Sequence, residues 1–484
     1  MILYKPVKQK RVALSRLVSV FFGVSILSSC SDITAGEHRQ KDHEITQWIT
    51  TGDQAKLLEE EPAKLLFADS SSSGPVIEVD TAKKYQAMQG FGFALTGGSA
   101  YLINHLPAAI KESLLQELFG QSDSSVHISY LRISIGASDL NESVFSYDDL
   151  PAGQTDTSLA HFNLSKDTVD MVPLLKQILA INPSVKIMGS PWSAPVWMKD
   201  NRATMGGSLL PAYYHAYAGY FVKYIQAMQL NGIAINSITI QNEPQYGGNN
   251  PSMVMSADQQ GTFIKNHLGP AFQSAGITTK ILIWDHNCNQ PGYPISILND
   301  ADARKYIDGS AFHLYEGEIE ALSEVHKAHP DKNLYFTEQW TGAKESFSDN
   351  LQWHVKNVMI GSVRNWATAV IEWNLASDPS FNPHTPGGCS ECKGALTIAG
   401  EKINRNPSYY IVAQVSKFVP PGSVRIESNN ENGIYSAAFV TPAGKKVLVL
   451  MNDSRRVQNF SIRYNGLLAP ASLEAGAAGT YTWD

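Results

Sequence analysis

The run Ile235-Asn-Ser-Ile-Thr-Ile-Gln-Asn-Glu-Pro244 decides the fold of this chain. It is apolar and β-branched up to Gln241 and then turns polar, which predicts a buried strand whose last residues emerge at a rim. A second run, Asn333-Leu-Tyr-Phe-Thr-Glu-Gln-Trp340, has the same form. Each run places a glutamate, Glu243 or Glu338, where a buried strand ends.

Short apolar runs of this kind recur through the middle of the chain. They occupy residues 90–94, 128–135, 186–190, 235–241, 279–285, 310–315, 333–337 and 367–373. Helical patterns lie between them, at residues 106–118, 167–181, 212–230, 257–275, 301–307, 320–328 and 353–363. We therefore predict an α/β fold, a (β/α)₈ TIM barrel over residues 90–408, whose active site lies at the C-terminal ends of its strands.

The pattern changes in the last part of the chain. A helix is predicted at residues 409–418, followed by short strands at 424–428, 433–441, 446–452, 458–464 and 479–483 with Gly, Asn and Pro turns between them. Such spacing is typical of a β-sandwich. We assign residues 409–484 to this small domain and expect residues 75–89 to add a strand, so that both ends of the mature chain build it.

Two carboxyl groups facing each other across a barrel mouth suit glycoside hydrolysis. One protonates the leaving oxygen, and the other attacks the sugar or activates water. Other polar or aromatic side chains end the predicted strands and are candidates for the same rim: Arg132, Trp192, Asn242, Asp285, His286, His313, Tyr315, Trp340, Trp373 and Asn374. Any one of them can be an ordinary core residue, but their convergence favours a site.

Charge and cysteine content narrow the class of protein. The 484-residue chain has a formal net charge of −7 and no basic cluster beyond its N-terminus, which argues against nucleic-acid binding. Cys389 and Cys392 form a single CxxC without a second ligand pair, so we predict a small disulfide and no metal or cofactor. Cys288 is then free and buried.

The N-terminus is predicted to be a targeting segment. Basic residues precede a short apolar run at residues 17–27, which predicts a lipoprotein signal peptide over residues 1–29. Cys30 would carry the lipid; the alternative is an ordinary cleaved signal with an incidental cysteine. The polar residues 30–74 are predicted to be a tether. We expect a lipid-anchored enzyme of the bacterial cell envelope, facing the periplasm or the surface.

Eight motifs in order carry a resemblance to glycoside hydrolase family 30, the glucosylceramidase-like family. They are Gln89-Gly-Phe-Gly-Phe-Ala-Leu-Thr96, Leu131-Arg-Ile-Ser-Ile-Gly136 with Ser138-Asp139, Ser190-Pro-Trp-Ser-Ala-Pro-Val-Trp-Met-Lys199, Gln241-Asn-Glu-Pro244, Phe312-His-Leu-Tyr315, Phe336-Thr-Glu338, Glu372-Trp-Asn-Leu375 and Ser416-Lys-Phe. The resemblance covers nearly the whole chain from Pro75.

This resemblance implies a role for each rim residue. Glu243 would be the acid/base and Glu338 the nucleophile of a retaining mechanism. Asn242 would bind the sugar 2-hydroxyl, and Arg132 would keep Glu338 ionised while the neighbouring carboxylate raises the pKa of Glu243. The remaining substrate-binding residues would be Trp192, His313, Tyr315, Trp340 and Trp373.

One departure from the family bears on the substrate. Much of the family has Asp after the first-strand Thr, whereas this chain has Thr96-Gly-Gly-Ser99, so a hydrogen bond to the far edge of the sugar is lost or is supplied by Ser99 or another residue. This variant and the loop Gly387-Gly-Cys-Ser-Glu-Cys392 resemble the endo-β-1,6-glucanase branch. We expect hydrolysis of β-1,6-glucan or related β-glucosides; the alternatives are a glucosylceramidase and a non-catalytic surface glycan-binding protein.

Overall fold

The computed structural model describes residues 44–484. The predicted signal peptide, Cys30 and the first part of the predicted tether lie outside these residues. Within the described part of the chain, no helix is long and apolar enough to cross a membrane.

The predicted barrel is confirmed: eight parallel strands close into a ring in sequence order. From the first to the eighth, the barrel strands are Gly90–Ala94, Tyr130–Ser134, Lys186–Ser190, Ser237–Thr239, Lys280–Asn287, Ile307–His313, Asn333–Glu338 and Ala367–Glu372. The fourth strand is shorter than predicted because the chain leaves the ladder after Thr239 to form the rim.

The inside of the barrel is packed with side chains from six of its eight strands. Its filling is a fully buried cluster of Tyr130, Met188, Leu282, Ala311, Tyr335, Ala369 and Ile371. Because these residues close the interior, the polar residues at the strand ends lie above a solid floor.

Helices surround the barrel. They span Gly97–Asn104, Ala108–Phe119, Met171–Ile181, Tyr214–Leu230, Ala257–Phe263, Gly269–Ser274, Gly292–Asn299, Ala301–Arg304, Ala321–Ala328, Phe347–His354, Ser362–Arg364 and Pro407–Ser416. Ile264–Leu268 and Val355–Gly361 are π-helical turns that join their neighbours into longer helices, and Val196–Met198 and Pro211–Tyr213 are single 3₁₀ turns.

The second sheet has strands from both ends of the described chain. In spatial order they are Glu59–Glu60, Glu44–Thr50, Ala478–Trp483, Lys446–Asn452, Ile434–Val440, Val424–Ser428, Val76–Ala87, Gln458–Tyr464 and Leu467–Leu473, with Leu65–Leu66 paired to Glu44–Thr50. Its two ends pack against each other, with the Phe460 and Tyr481 rings 6.3 Å apart. Short strands at Thr341–Gly342, Ala376–Ser377, Cys392–Lys393, Leu396–Ala399 and Lys402–Arg405 pair separately.

Two predicted boundaries are wrong. The tether prediction for residues 30–74 fails from Glu44, because Glu44–Thr50 pairs antiparallel with Ala478–Trp483 and buries Ile45 and Ile49 in the sandwich core. The helix Pro407–Ser416, which we assigned to the sandwich, also packs on the first barrel strand. Its Gln414 side chain lies between the domains, hydrogen-bonded to Thr50 of the sandwich at 2.8 Å.

Candidate active site

The two predicted glutamates meet above the barrel floor. Glu338 is the last residue of the seventh barrel strand, and Glu243 follows the fourth. Glu243 has a positive φ of 47°, and its amide donates to the Asp285 carbonyl at 3.0 Å, which turns its side chain into the rim. One carboxylate oxygen of Glu243 lies within 4.8 Å of one of Glu338, and both residues are buried.

Arg132 connects the groups of this site. Its guanidinium donates to Glu338 Oε2 at 2.6 Å, to Asp285 Oδ2 at 2.9 Å and to Asn242 Oδ1 at 2.7 Å. Its Nε donates to Ser190 Oγ at 3.1 Å. Arg132 is fully buried, so these bonds place it beneath the sugar site as an electrostatic anchor for the nucleophile candidate.

His313 lies between Asp285 and the two glutamates. Its Nε2 is 3.1 Å from Asp285 Oδ1, and its Nδ1 is 3.4 Å from Glu243 Oε1 and 3.9 Å from Glu338 Oε1. Burial lowers the pKa of His313, but the charge of Glu338 and its bonds to Asp285 and Glu243 outweigh burial and raise it to about 9. His313 is therefore a cation at neutral pH.

In the site without substrate, the pKa values of the two glutamates are shifted in opposite directions. Burial raises the pKa of Glu338 above its ordinary value, against the opposing charges of His313 and Arg132. At Glu243 burial acts in the same sense, but the hydrogen bond and charge of His313 bring its pKa below the ordinary value. The sequence-based prediction, in which the neighbouring carboxylate raises the pKa of Glu243, did not include the imidazole of His313 that faces both glutamates.

The predicted aromatic residues line this cluster. Trp192 and Trp373 lie with ring centroids 5.4 Å apart, and the Arg132 guanidinium lies 4.9 Å from the Trp192 ring. The Tyr315 hydroxyl donates to Glu338 Oε1 at 3.0 Å. Trp340 is partly buried against the same group. The rings thus pack around the carboxyl groups, a position that suits contact with the apolar face of a sugar.

The predicted disulfide belongs to this wall. Cys389 and Cys392 are bonded, and both pack with Trp192 and Trp373. The main-chain amide of Cys389 also donates to Asp139 Oδ2 at 3.2 Å. The disulfide loop therefore supports the rim. Cys288 is free and buried, as predicted.

Ser99 does not replace the missing family aspartate. Its hydroxyl is fully buried and its one proton is shared between two acceptors, Asn374 Oδ1 and the Ala376 carbonyl, both 2.9 Å from the hydroxyl oxygen. The neighbouring Gly97 does not open a pocket either. A Cβ at that position would lie 1.9 Å from the Asn141 amide nitrogen, so Asn141 occupies the space of the lost side chain.

Asp139 and Glu372 were not selected as candidates from the sequence, and Asp285 was a rim candidate without an assigned role. Asp285 accepts hydrogen bonds from Thr239 and Thr337, each at 2.7 Å, besides those of Arg132 and His313. Asp139 lies in the Ser138-Asp139 motif, and Glu372 ends the eighth barrel strand, 2.7 Å from His354 Nδ1. Their position at or just after strand ends was the available signal.

Asp139 should make stability depend on pH. Burial and the charge of Glu338 raise its pKa to about 7, so folding favours its neutral form. That contribution is complete below the unfolded pKa near 4 and is lost as the pH rises through 7. We expect Asp139→Asn to gain about 2 to 3 kcal/mol of unfolding free energy relative to wild type between pH 5 and pH 8.

Urea unfolding at the two pH values measures this change. The exposed Asp123→Asn variant is the matched control and should keep the wild-type pH dependence. If wild type and Asp139→Asn change in parallel with pH, Asp139 is not the group responsible.

Comparisons with known proteins identify the family of the chain. Residues 88–419 match the model of the glycosyl hydrolase family 30 TIM-barrel domain, and residues 422–481 match the family 30 beta sandwich domain. The chain is 38% identical to an endo-1,6-beta-D-glucanase of Neurospora crassa, over 76% of this chain and 79% of that protein. It is 27% identical to the lysosomal acid glucosylceramidase of Mus musculus, over 86% and 85%.

A solved structure extends the comparison. The chain superimposes on an endo-beta1,6-glucanase with a TM-score of 0.84 and 35% identity, covering 91% of this chain and 99% of the other. The family boundary at residues 419–422 also places the helix Pro407–Ser416 with the barrel.

Proposed function

Since the chain belongs to glycosyl hydrolase family 30, we propose that it is a retaining endo-β-1,6-glucanase in which Glu338 is the nucleophile and Glu243 the acid/base. The observation that carries the mechanism is the separation of the two carboxyl groups, whose nearest oxygens lie within 4.8 Å. A retaining enzyme has carboxyl groups roughly 5 Å apart, whereas an inverting enzyme keeps room for a water between them.

The first step uses both carboxyl groups. Glu338 attacks the anomeric carbon and forms a glycosyl ester, while Glu243 gives its proton to the departing glycosidic oxygen. In the second step Glu243 takes a proton from water, the water oxygen bonds to the anomeric carbon, and Glu338 leaves as a carboxylate. No other reactant is needed.

The first reaction step needs Glu243 to be protonated when the glycosidic bond breaks. Arg132 and Tyr315 donate to Glu338 at 2.6 and 3.0 Å, so two donors stabilise the negative charge of the nucleophile. His313 lies near both glutamates, so its charge can stabilise whichever of them is ionised. We infer that Glu243 holds a proton when substrate is bound, because a glycosidic oxygen is an acceptor that only the protonated acid can serve.

Two observations support β-1,6-glucan as the substrate: the names of similar proteins and the residues near Gly97. Curated and solved relatives above 30% identity include proteins named as endo-1,6-β-glucanases. Asn141 fills the space that a longer side chain at Gly97 would occupy, so the far edge of the sugar site is built differently from that of the aspartate-bearing family members. A different far edge supports a substrate other than a terminal glucoside.

Product analysis on linear β-1,6-glucan tests the proposed activity. The form beginning after Cys30 should release a ladder of oligosaccharides of decreasing length, since an endo enzyme cuts at internal bonds. Linear β-1,3-glucan is the matched control and should yield none. Release of monomer alone would contradict endo action.

Incubation with glucosylceramide tests the main alternative, that the protein is a glucosylceramidase. No glucan product, together with release of ceramide, would move the substrate to a glycolipid while leaving the retaining mechanism intact. Saturable glucan binding without hydrolysis of any β-glycoside would contradict the catalytic proposal itself.

We also propose that Cys30 carries a lipid anchor in the bacterial cell envelope. The support is the basic and apolar residues before Leu27-Ser-Ser-Cys30. Cys30→Ala should abolish labelling by a radioactive fatty acid and move the protein from the membrane fraction to the soluble one. Cys288→Ala is the control and should stay with the membranes, whereas unchanged membrane association of Cys30→Ala would contradict the anchor.

A further inference from the structure

A second polar cluster lies outside the proposed active site. It is on the segment between the second barrel strand and the helix Met171–Ile181, where Asp148, Asp156 and His161 come together. One carboxylate oxygen or ring nitrogen from each lies within 4.8 Å of the other two. The proposed hydrolysis uses none of these three side chains.

Asp148 is the unusual member of the cluster. Its residue is 1% exposed, and neither of its carboxylate oxygens has a hydrogen-bond partner within the described chain. The nearby Trp197 indole donates to the main-chain carbonyl of Asp148 at 3.0 Å. A buried carboxylate without donors is costly, and a bound cation would compensate its charge.

Asp156 is held in place by donors on its own loop. Its Oδ1 accepts from the Ser158 hydroxyl at 2.8 Å, and its Oδ2 accepts from the His161 main-chain amide at 2.8 Å. The His161 ring Nδ1 is 2.9 Å from the same oxygen. The Ser158 hydroxyl and the His161 amide orient this carboxylate in the way that outer-shell partners orient metal ligands, and each oxygen keeps lone-pair capacity.

We propose that Asp148, Asp156 and His161 form a binding site for one divalent first-row metal ion. Two carboxylates bring opposite charge to the ion, and the ion supplies the compensation that the Asp148 carboxylate lacks. The imidazole favours Zn²⁺ and the two carboxylates also suit Mn²⁺, whereas Ca²⁺ takes oxygen ligands alone.

The ion would link the buried and the exposed part of the segment that carries Asp148 and His161. Asp148 lies directly after Tyr147 in the core, and His161 is on the exposed side of the segment, with 68% of its side chain exposed. A cavity of about 550 Å³ adjoins the segment, lined among others by Phe145, Asp149 and Trp197. The metal would therefore stabilise one wall of this cavity.

Calorimetric titration of the metal-stripped, untagged protein tests the site, with Zn²⁺ and Mn²⁺ as separate probes. We expect one ion per chain for at least one of them, with a rise in the unfolding temperature. Asp148→Asn should abolish binding, and His161→Ala should weaken it by about tenfold or more. Asp149→Asn, which removes the same charge from an exposed neighbour, should bind as wild type does.

The metal-free proteins give a second readout. Asp148→Asn removes an uncompensated buried charge, so without metal it should unfold at the wild-type temperature or above it, and added metal should not change that temperature. A purely structural role of the Asp148 carboxylate predicts the opposite, a lower unfolding temperature in the absence of metal. That result would overturn the proposal.

The catalytic cluster is the competing site, since Glu243, His313 and Glu338 also bring ligand atoms within 4.8 Å of one another. Glu338→Gln should leave metal binding unchanged. Binding lost in Glu338→Gln but retained in Asp148→Asn and His161→Ala would overturn the proposal. Absence of saturable binding of both ions, or binding of Ca²⁺ alone, would do the same.

Discussion

Replacing Glu338 with Gln is expected to abolish hydrolysis, lowering kcat by about four orders of magnitude or more. The amide cannot form the glycosyl ester, although it keeps the size of the carboxylate. Its oxygen can accept from Arg132, which is 2.6 Å from Glu338 Oε2, and its NH₂ group can donate to the Tyr315 hydroxyl oxygen, which is 3.0 Å from Oε1. The fold should therefore survive, and circular dichroism should match that of wild type. Near-normal activity would contradict the nucleophile assignment.

Glu243→Gln should fail in a different way. With an activated aryl β-glucoside the leaving group needs no proton, so the first step should still proceed and a burst of aryl alcohol should precede slow turnover. Added azide should restore turnover and yield the β-azide. Glu316→Gln, a change at an exposed glutamate beside Tyr315, is the control and should retain activity. A burst in Glu338→Gln instead would exchange the two roles.

Replacing Arg132 with Leu is expected to cost both stability and activity. It leaves Asp285 and Glu338 as buried carboxylates without their guanidinium, and breaking a buried ion pair from one side costs about 3 to 5 kcal/mol. Activity should fall by about three orders of magnitude as well, since a preorganised charge next to the reacting carboxylate is lost. Urea unfolding and kcat on an aryl β-glucoside measure the two effects.

Two further variants test the reason for that loss. Asp285→Asn in the Arg132→Leu background should recover part of the stability, because it removes one uncompensated charge. Arg463→Leu breaks the exposed pair with Glu78 and should cost about 1 kcal/mol or less. If Arg132→Leu costs no more than Arg463→Leu, Arg132 is not the anchor of this cluster.

The strands of the barrel were predictable because each is a continuous apolar run buried on both faces. Glu44–Thr50 was missed because it lies in a polar stretch and buries alternate residues, Ile45, Gln47 and Ile49. Its hydrogen-bonding partner, Ala478–Trp483, is at the other end of the chain. A short half-polar strand has no local signal that separates it from a linker, since its stability comes from that distant pairing.

In the candidate site, too, local sequence predicted some features and only the packing of distant segments decided others. Glu243 and Glu338 were predictable because each glutamate ends a strand, and parallel barrel strands bring their C-terminal ends to one rim. The role of Ser99 was not predictable, because its hydroxyl is occupied by Asn374 and Ala376, far along the chain. The same holds for Asp285, which links Arg132 and His313 through side-chain bonds alone.

By itself, the sequence determined the barrel, the two glutamates at its rim and the aromatic residues around them, because periodicity and strand ends are local properties of a chain. Only the tertiary structure decided where the charges lie. It placed a cationic His313 between the glutamates and left the Asp148 carboxylate without donors. Burial and the distance between charged groups determine protonation and ion binding, and both arise only when distant segments pack together.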